Sequence, residues 1–401
     1  MNSKMTSSAK ALEIILDLSE DFGVEEVDFI HSLGRILKED IVADRDFPPF
    51  DRVSMDGIAL SSEPFNNGQR SFKIEGIQAA GSQQISLNNS KNCIEAMTGA
   101  VLPKNTDVVI QYELLEIREG MAIVNAEIVR EFQNIHKKGL DRKQGDVLIE
   151  KDTIISAAEI GVLATVGKSK VTVAKLPKVM IISTGNELVE VDQIPKEYQI
   201  RRSNVYTLVS LLKGLNINAE TSHIQDDKES LKIKIESYLR EYDVLLFSGA
   251  VSKGKFDFIP EVLDELGVDK LFHRVAQRPG KPFWFGKKQN KTVFAFPGNP
   301  VSTFVSCMKY FYPWYHKSLG VNFINNKFAV LSKDFLFKPD LTYFLQVKLE
   351  NKNGTCFATP IKGKGSGDLA NLIDADAFLE LPADLANFTK GEIFPYLKYR
   401  I

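Results

Sequence analysis

Between residues 177 and 320 the chain alternates short apolar runs with longer amphipathic ones, and no other feature narrows its possible folds as much. KVMIIS (178–183), VLLFS (244–248) and TVFAF (292–296) are too short for helices, and they carry apolar residues on both sides of a strand's pleat. The stretches between them have helical spacing. A helix is predicted over 204–213, with Ser203 or Asn204 as its cap and Gly214 as its stop. Others are predicted over 227–240, over 258–266 ending at Gly267, and over 301–318 with a kink at Pro313 and an end near Gly320. Continuously apolar strands joined by helices predict a doubly wound, mostly parallel α/β sheet covered on both faces.

The flanks read differently. Residues 7–18 place Ala11, Ile14, Ile15 and Leu18 at helical spacing, with Ser7 or Ser8 available as cap. DFPPFDRVSMDG (46–57) is stiffened by Pro48 and Pro49 and suits a loop that displays a functional side chain. FKIEGI, DVVIQYELLEI and MAIVNAEIV, within 71–129, alternate apolar and polar residues as strands do. Residues 156–166 look helical again. After residue 326, FAVLSKDFLF, FLQVKLE, TCFATPI, AFLELP and IFPYLKY are short strands separated by turns. The expected division is a discontinuous N-terminal domain (1–50 and 140–176), an inserted β domain (51–139), the central α/β domain (177–325) and a small barrel-like C-terminal β domain (326–401).

Composition removes several function classes. Fifty Lys and Arg against 52 Asp and Glu leave a net charge of -2, so bulk electrostatics do not favour nucleic acid. Cys93, Cys307 and Cys356 are scattered, and so are the five histidines, which fits neither a disulfide framework nor a zinc site. No run of about 18 apolar residues would cross a membrane, and the first residues lack a signal peptide's apolar core. A cytoplasmic protein in a reducing compartment is expected.

In open α/β sheets ligands sit at the carboxyl ends of the strands. Here those ends read Ser183-Thr184-Gly185-Asn186-Glu187, Ser248-Gly249-Ala250-Val251-Ser252 and Pro297-Gly298-Asn299-Pro300-Val301-Ser302. Small residues let backbone N–H groups approach an anion closely, and helix N-termini add partial positive charge. RPGKP (278–282) would present Arg278 and Lys281 from one rigid bend, as phosphate recognition requires. Asp56, Glu187 and Asp257 are the candidate carboxylates, although helix capping would also account for Asp257. Carboxylates beside phosphates usually signal a hard cation such as magnesium. Trp284 reads as core, Cys307 as buried and inert, His273 and His316 as structural or exposed, and the Lys137, Lys138, Arg142 and Lys143 charge run as a solvated loop.

These residues carry a resemblance. FPPFDRVSMDG (47–57), MTGAVLPKNTDVVIQYE (97–113), STGNELV (183–189) with SN (203–204), RPGKP, FPGNPVS (296–302) and GSGDLANLIDADAFLELP (365–382) resemble, in order, the motifs of the molybdopterin molybdenumtransferases, the MoeA family that includes the C-terminal region of gephyrin. The resemblance implies a transferase that inserts molybdate into adenylated molybdopterin and releases AMP, assisted by a divalent cation. It implies a homodimer, with each site formed between the α/β domain of one subunit and N-terminal loops of the other, and a possible partner in the adenylyltransferase of the same pathway. By motif match, Asp56 reaches into the site and Thr98 belongs to the same wall. Glu187 and Asp257 lie near metal or pterin. Arg278 and Lys281 hold anionic oxygens, Ser252, Pro297 and Pro300 shape the pocket, and Asp141 is retained.

Departures from the family pattern accompany these matches. GAVSKGKFD (249–257) has Lys255 where an aspartate is common and Ala250 where a second glycine is common. His136, Leu140, Leu341 and Gln346 also stand in place of charged residues. The alternatives are a molybdopterin adenylyltransferase and a non-catalytic molybdopterin-binding carrier.

Overall fold

The computed structural model describes residues 5–249, 251, 257–321, 327–361, 363 and 365–400. The chain forms two compact units, one of residues 1–38, 152–156 and 170–401, the other of residues 39–151 and 157–169.

The first unit is built on a six-stranded sheet ordered Glu220–Ile224, Val179–Thr184, Val244–Ser248, Lys291–Phe296, Trp284–Lys288, Asp269–His273. The first four strands run parallel, the fifth pairs antiparallel to the fourth, and the sixth pairs antiparallel to the fifth. The three apolar runs are therefore the adjacent central strands. Side chains alternate across a strand, so each run feeds two cores. Val179, Ile181, Val244, Leu246, Phe294 and Phe296 face one core, with Leu208 and Leu212 of helix Ser203–Lys213 and with Phe311 and Trp314. Met180, Ile182, Leu245, Phe247, Val293 and Ala295 face the other, against helices Lys228–Glu241 and Ile259–Glu265. Each fully buried Leu or Phe contributes about 1.5–3 kcal/mol.

Three strands were not singled out from the sequence. Edge strand Glu220–Ile224 (ETSHI) is polar because one side has no neighbour to pack against. Asp269–His273 is the opposite, mostly exposed edge. Trp284–Lys288 continues the hairpin, and its Trp284 is core, 1% exposed.

The N-terminal helix Ser8–Asp17 is capped by Ser7, whose hydroxyl accepts from Lys10 N at 3.2 Å, and it buries Ala11 and Ile15 against the α/β core. Helix 301–318 does not simply kink at Pro313. It runs as Pro300–Ser306, a five-residue π-helical segment Cys307–Phe311, then Tyr312–Ser318 with Pro313 in its first turn. A proline has no N–H to donate, and the turn before it widens to absorb the mismatch.

Strands Thr342–Lys352, Thr355–Pro360, Phe328–Leu331, Ile393–Lys398 and Ala377–Leu381 pair in that order, and the last returns to pair with the first, closing a small barrel around Leu331, Leu345, Val347 and Leu379. Strand Val275–Arg278 adds to the barrel by pairing parallel to Thr342, and Thr6–Ser7 pairs parallel to Val275–Ala276.

The second unit holds a six-stranded sheet ordered Val108–Gln111, Gly57–Leu60, Cys93–Ala96, Ser71–Gln78, Met121–Val124, Leu115–Arg118. Ile58, Leu60, Phe72, Cys93, Val108 and Ile110 form its core. A Cβ on Gly57 would lie 1.9 Å from the Ile110 carbonyl oxygen, so only glycine fits after Asp56. Among the described residues no helix is long and apolar enough to cross a membrane.

Candidate functional site: two cavities at the strand ends

The three central strands end level, with Ser183 beside Ser248 and Ser248 beside Phe296. Ser183 Oγ lies 3.1 Å from His223 Nδ1. Thr184 Oγ1 and Ser248 Oγ are buried without a protein partner. Unpaired buried hydroxyls cost free energy, so groups of this kind are suited to a ligand. Gly249 adopts φ +110°, and its backbone packs against Gly298. Asn204 does not cap its helix; its Nδ2 donates to the Gly298 carbonyl at 2.7 Å, tying the helix start to the third loop. Buried Thr303 Oγ1 donates to the Pro297 carbonyl at 2.5 Å and holds that loop from within.

These groups enclose a cavity of about 390 Å³, lined by Ser183, Thr184, Glu187, Asn204, Ser248, Gly249, Gly298, Asn299 and Pro300. Gly185 is in the left-handed region at φ +137°, and a Cβ there would lie 2.6 Å from Glu187 Oε2, so glycine lets the Glu187 carboxylate fold back over the loop.

A further carboxylate, Asp226, was missed in the sequence because it follows the polar edge strand. It exchanges hydrogen bonds with Asn186: Asn186 N donates to its Oδ2 at 3.3 Å, and Asp226 N donates to Asn186 Oδ1 at 3.2 Å. Burial raises its pKa, the Asn186 N–H opposes that, and the charges of Glu187 and Asp257 raise it further. Glu187, Asp226 and Asp257 thus share one electrostatic neighbourhood. The helix after Asp257 begins at Ile259 with Phe258 at the capping position, so Asp257 is not its N-cap. Among the described residues no three His, Cys, Asp or Glu come together as a metal cage.

That wall also carries Arg201 and Arg202, whereas Arg278 and Lys281 lie elsewhere. Arg278, Lys281, Pro297 and Ser302 line a second cavity of about 400 Å³, together with Leu341, Gln346 and Ser366, and Asn299 lines both cavities. The barrel's pairing with Val275–Arg278 creates this chamber, and no local pattern announced it. The Arg278 guanidinium lies 5.8 Å from the Phe337 ring centre and 5.9 Å from that of Tyr343. Asn299 Nδ2 donates to Ser366 Oγ at 2.9 Å, linking the third loop to the segment before residue 377. Gln346 is 9% exposed, and its Nε2 has no protein partner.

In the second unit, exposed Asp56 accepts from Thr98 N at 2.6 Å, and this hydrogen bond holds its carboxyl below the usual range. Asp141 contacts His136 Nε2 at 2.9 Å, and His136 Nδ1 lies 3.3 Å from Arg52. Ala250, Ser252 and Lys255 lie outside the described residues. Cys307 is fully buried, and burial pushes its thiol well above the ordinary value. His273 Nε2 donates to the Val251 carbonyl at 2.9 Å, a structural contact.

An open α/β sheet with a glycine-lined cleft at its strand ends and a cationic chamber alongside defines a protein that handles an anionic ligand. Residues 6–167 match the MoeA N-terminal region (domain I and II), 180–317 a probable molybdopterin binding domain, and 329–399 the MoeA C-terminal region (domain IV). A molybdopterin molybdenumtransferase of Synechocystis sp. is 43% identical over 397 residues, 98% of this chain and 99% of the relative. One from Bacillus subtilis is 31% identical, covering 92% and 88%. The crystal structure of a molybdopterin biosynthesis MoeA protein from Pyrococcus horikosii superposes with a TM-score of 0.83 at 33% identity, covering 99% of this chain and 100% of that one. The chain belongs to the MoeA family of molybdopterin molybdenumtransferases.

Proposed function

We propose that this protein transfers molybdenum from molybdate to adenylated molybdopterin and releases AMP. The observation that carries this reading is the pair of cavities joined at Asn299, one lined by small polar groups with Glu187, Arg201 and Arg202, the other bearing Arg278 and Lys281. The strand-end cleft suits the nucleotide-pterin, whose phosphates would meet the Gly249 and Gly298 loops and the Thr184 and Ser248 hydroxyls. The cationic chamber suits a tetrahedral oxyanion, since a guanidinium and an ammonium can each donate to its oxygens. Water attacks the adenylyl phosphorus, the pterin-side phosphate oxygen leaves with its electron pair, and AMP departs; each dithiolene sulfur then forms a Mo–S bond as a Mo–O bond of molybdate breaks, the displaced oxygen leaving as water with the thiol protons.

Glu187 and Asp257, with Asp226 beside them, would hold magnesium. Burial raises the pKa of Asp226 and the charges of Glu187 and Asp257 raise it further, which supports this reading, and magnesium typically needs only one or two carboxylates plus substrate phosphates. The ion would neutralise charge on the phosphates. Asp56, kept ionised by Thr98, is proposed to orient the metal or the nucleophile, and Asp141 to contact ligand. The protein is further proposed to be cytoplasmic and homodimeric, and to receive its substrate from the pathway's adenylyltransferase.

The test mixes purified protein with adenylated molybdopterin, magnesium and molybdate. Molybdate-dependent AMP release is expected. ATP consumption with free molybdopterin would instead mark an adenylyltransferase, and tight pterin binding without turnover a carrier. Lys281→Ala should weaken anion binding by about tenfold, as loss of one charge-assisted hydrogen bond does. Unchanged affinities for both molybdate and the adenylated pterin would remove its role.

A further inference from the structure

Directly beneath the Arg278–Lys281 turn runs a line of buried polar groups that the proposed chemistry does not use. Gln277 is 1% exposed, Tyr310 is fully buried and Ser8 is 2% exposed. Gln277 Nε2 donates to the Pro279 carbonyl at 3.1 Å and reaches the Gly280 carbonyl at 3.5 Å. Tyr310 donates its hydroxyl proton to Gln277 Oε1. Ser8 Oγ lies 3.0 Å from the Tyr310 hydroxyl. With that proton committed to Gln277, Ser8 donates to Tyr310, and the line runs in one direction from the N-terminal helix to the turn.

This direction fixes the amide. Were Gln277 reversed, its NH₂ would face the Tyr310 hydroxyl and its oxygen would face two carbonyls, leaving acceptors opposed in a buried space. The turn sits close on this support: Gly280 has φ +95°, and a Cβ there would lie 2.6 Å from Gln277 Nε2 and 2.9 Å from Ser306 Oγ. The members of the line come from distant parts of the chain. The π-helical segment Cys307–Phe311 supplies Tyr310, and the pairing of Thr6–Ser7 with Val275–Ala276 brings Ser8 into reach.

We propose that Gln277, oriented by Tyr310 and Ser8, is a positioning residue that sets the Arg278 and Lys281 side chains for the oxyanion. The inference rests on the reading that their cavity takes molybdate. It assigns the N-terminal helix, remote in sequence from every site motif, a part in substrate affinity.

The test uses full-length protein, saturating adenylated pterin and varied molybdate. Tyr310→Phe keeps the ring and removes the hydroxyl, and Gln277→Met keeps the length and removes the amide. Each should raise the KM for molybdate about tenfold, the loss expected of a misplaced charged hydrogen bond, and leave kcat within about twofold. Affinity for the adenylated pterin should not change. Ser8→Ala should move the molybdate KM in the same direction by less. Leu239→Ala, buried on the other face of the sheet, serves as a destabilised control whose KM should not move. Unchanged KM in both Tyr310→Phe and Gln277→Met, or an equal rise in the control, would overturn the proposal. Arg278→Ala separates the two levels. If it raises the KM while the two buried variants do not, the oxyanion reading stands and the positioning claim fails. If it too leaves the KM unchanged, the oxyanion reading fails and takes the positioning claim with it.

Discussion

Asp226 and Asp56 are held in opposite senses. At Asp226, burial and the neighbouring charges of Glu187 and Asp257 disfavour the ionised form, so its folded pKa lies above the unfolded value. The sign follows by linkage: the penalty is absent in acid, develops as pH rises through the unfolded value near ~3.9, and is complete above the folded pKa. Solvent screens part of it, because the group is well short of full burial. Asp226→Asn should therefore leave Tm at pH 7 unchanged or raise it by up to about 2 °C, with the gain vanishing in acid. Added magnesium should raise Tm of the natural protein more than that of the variant; equal magnesium shifts would remove Asp226 from the cation's surroundings. Asp56 is instead kept ionised by the Thr98 N–H, so its protonation should not set an acid limb within the ordinary carboxylate range. Asp56→Asn should cut AMP release about a hundredfold. Its Tm should stay within about 2 °C, because an exposed loop tip contributes little packing. Comparable losses of Tm and rate would contradict a functional role.

At the scale of elements, the Arg278–Lys281 turn couples backbone conformation to the cavity. Gly280→Ala would place a methyl group against Gln277 and Ser306 at a φ that only glycine adopts freely, and should cost about 1–3 kcal/mol. Chemical denaturation would read that loss, and a variant as stable as the parent would mean that the turn can shift without cost. This turn also marks where sequence reading stops. Its two cations were visible because charge on either side of Pro-Gly is a local pattern. Their separation from the strand-end cleft was not, because it depends on Val275–Arg278 pairing with a barrel strand more than sixty residues away. The three central strands were legible because burial on both faces leaves continuous apolar runs. Edge strand ETSHI was not, because an edge needs no such run, and Asp226 was lost with it. Asn204 looked like a helix cap because the residue type fits one, yet its amide serves the Gly298 carbonyl instead. Helix 301–318 was expected to bend at Pro313; it widens one turn earlier, and that widening helps carry Tyr310 to its buried partners.

For the whole molecule, the proposed homodimer raises the question of which chain supplies Asp56 and which supplies Lys281 to a proposed site. A homodimer would sediment at about 90 kDa, twice the 44.9 kDa chain, and a species at the chain mass would exclude it. Mass alone does not say which chain supplies which residue. Asp56→Asn and Lys281→Ala, each impaired alone, decide this when unfolded together and refolded as an equal mixture. If the partner supplies Asp56, half of the dimers are mixed and each carries one fully natural site and one doubly altered site, so the mixture should recover about a quarter of the natural activity. If each chain supplies both residues to its own site, no combination repairs either defect, and the mixture should show only the mean of the two separate preparations.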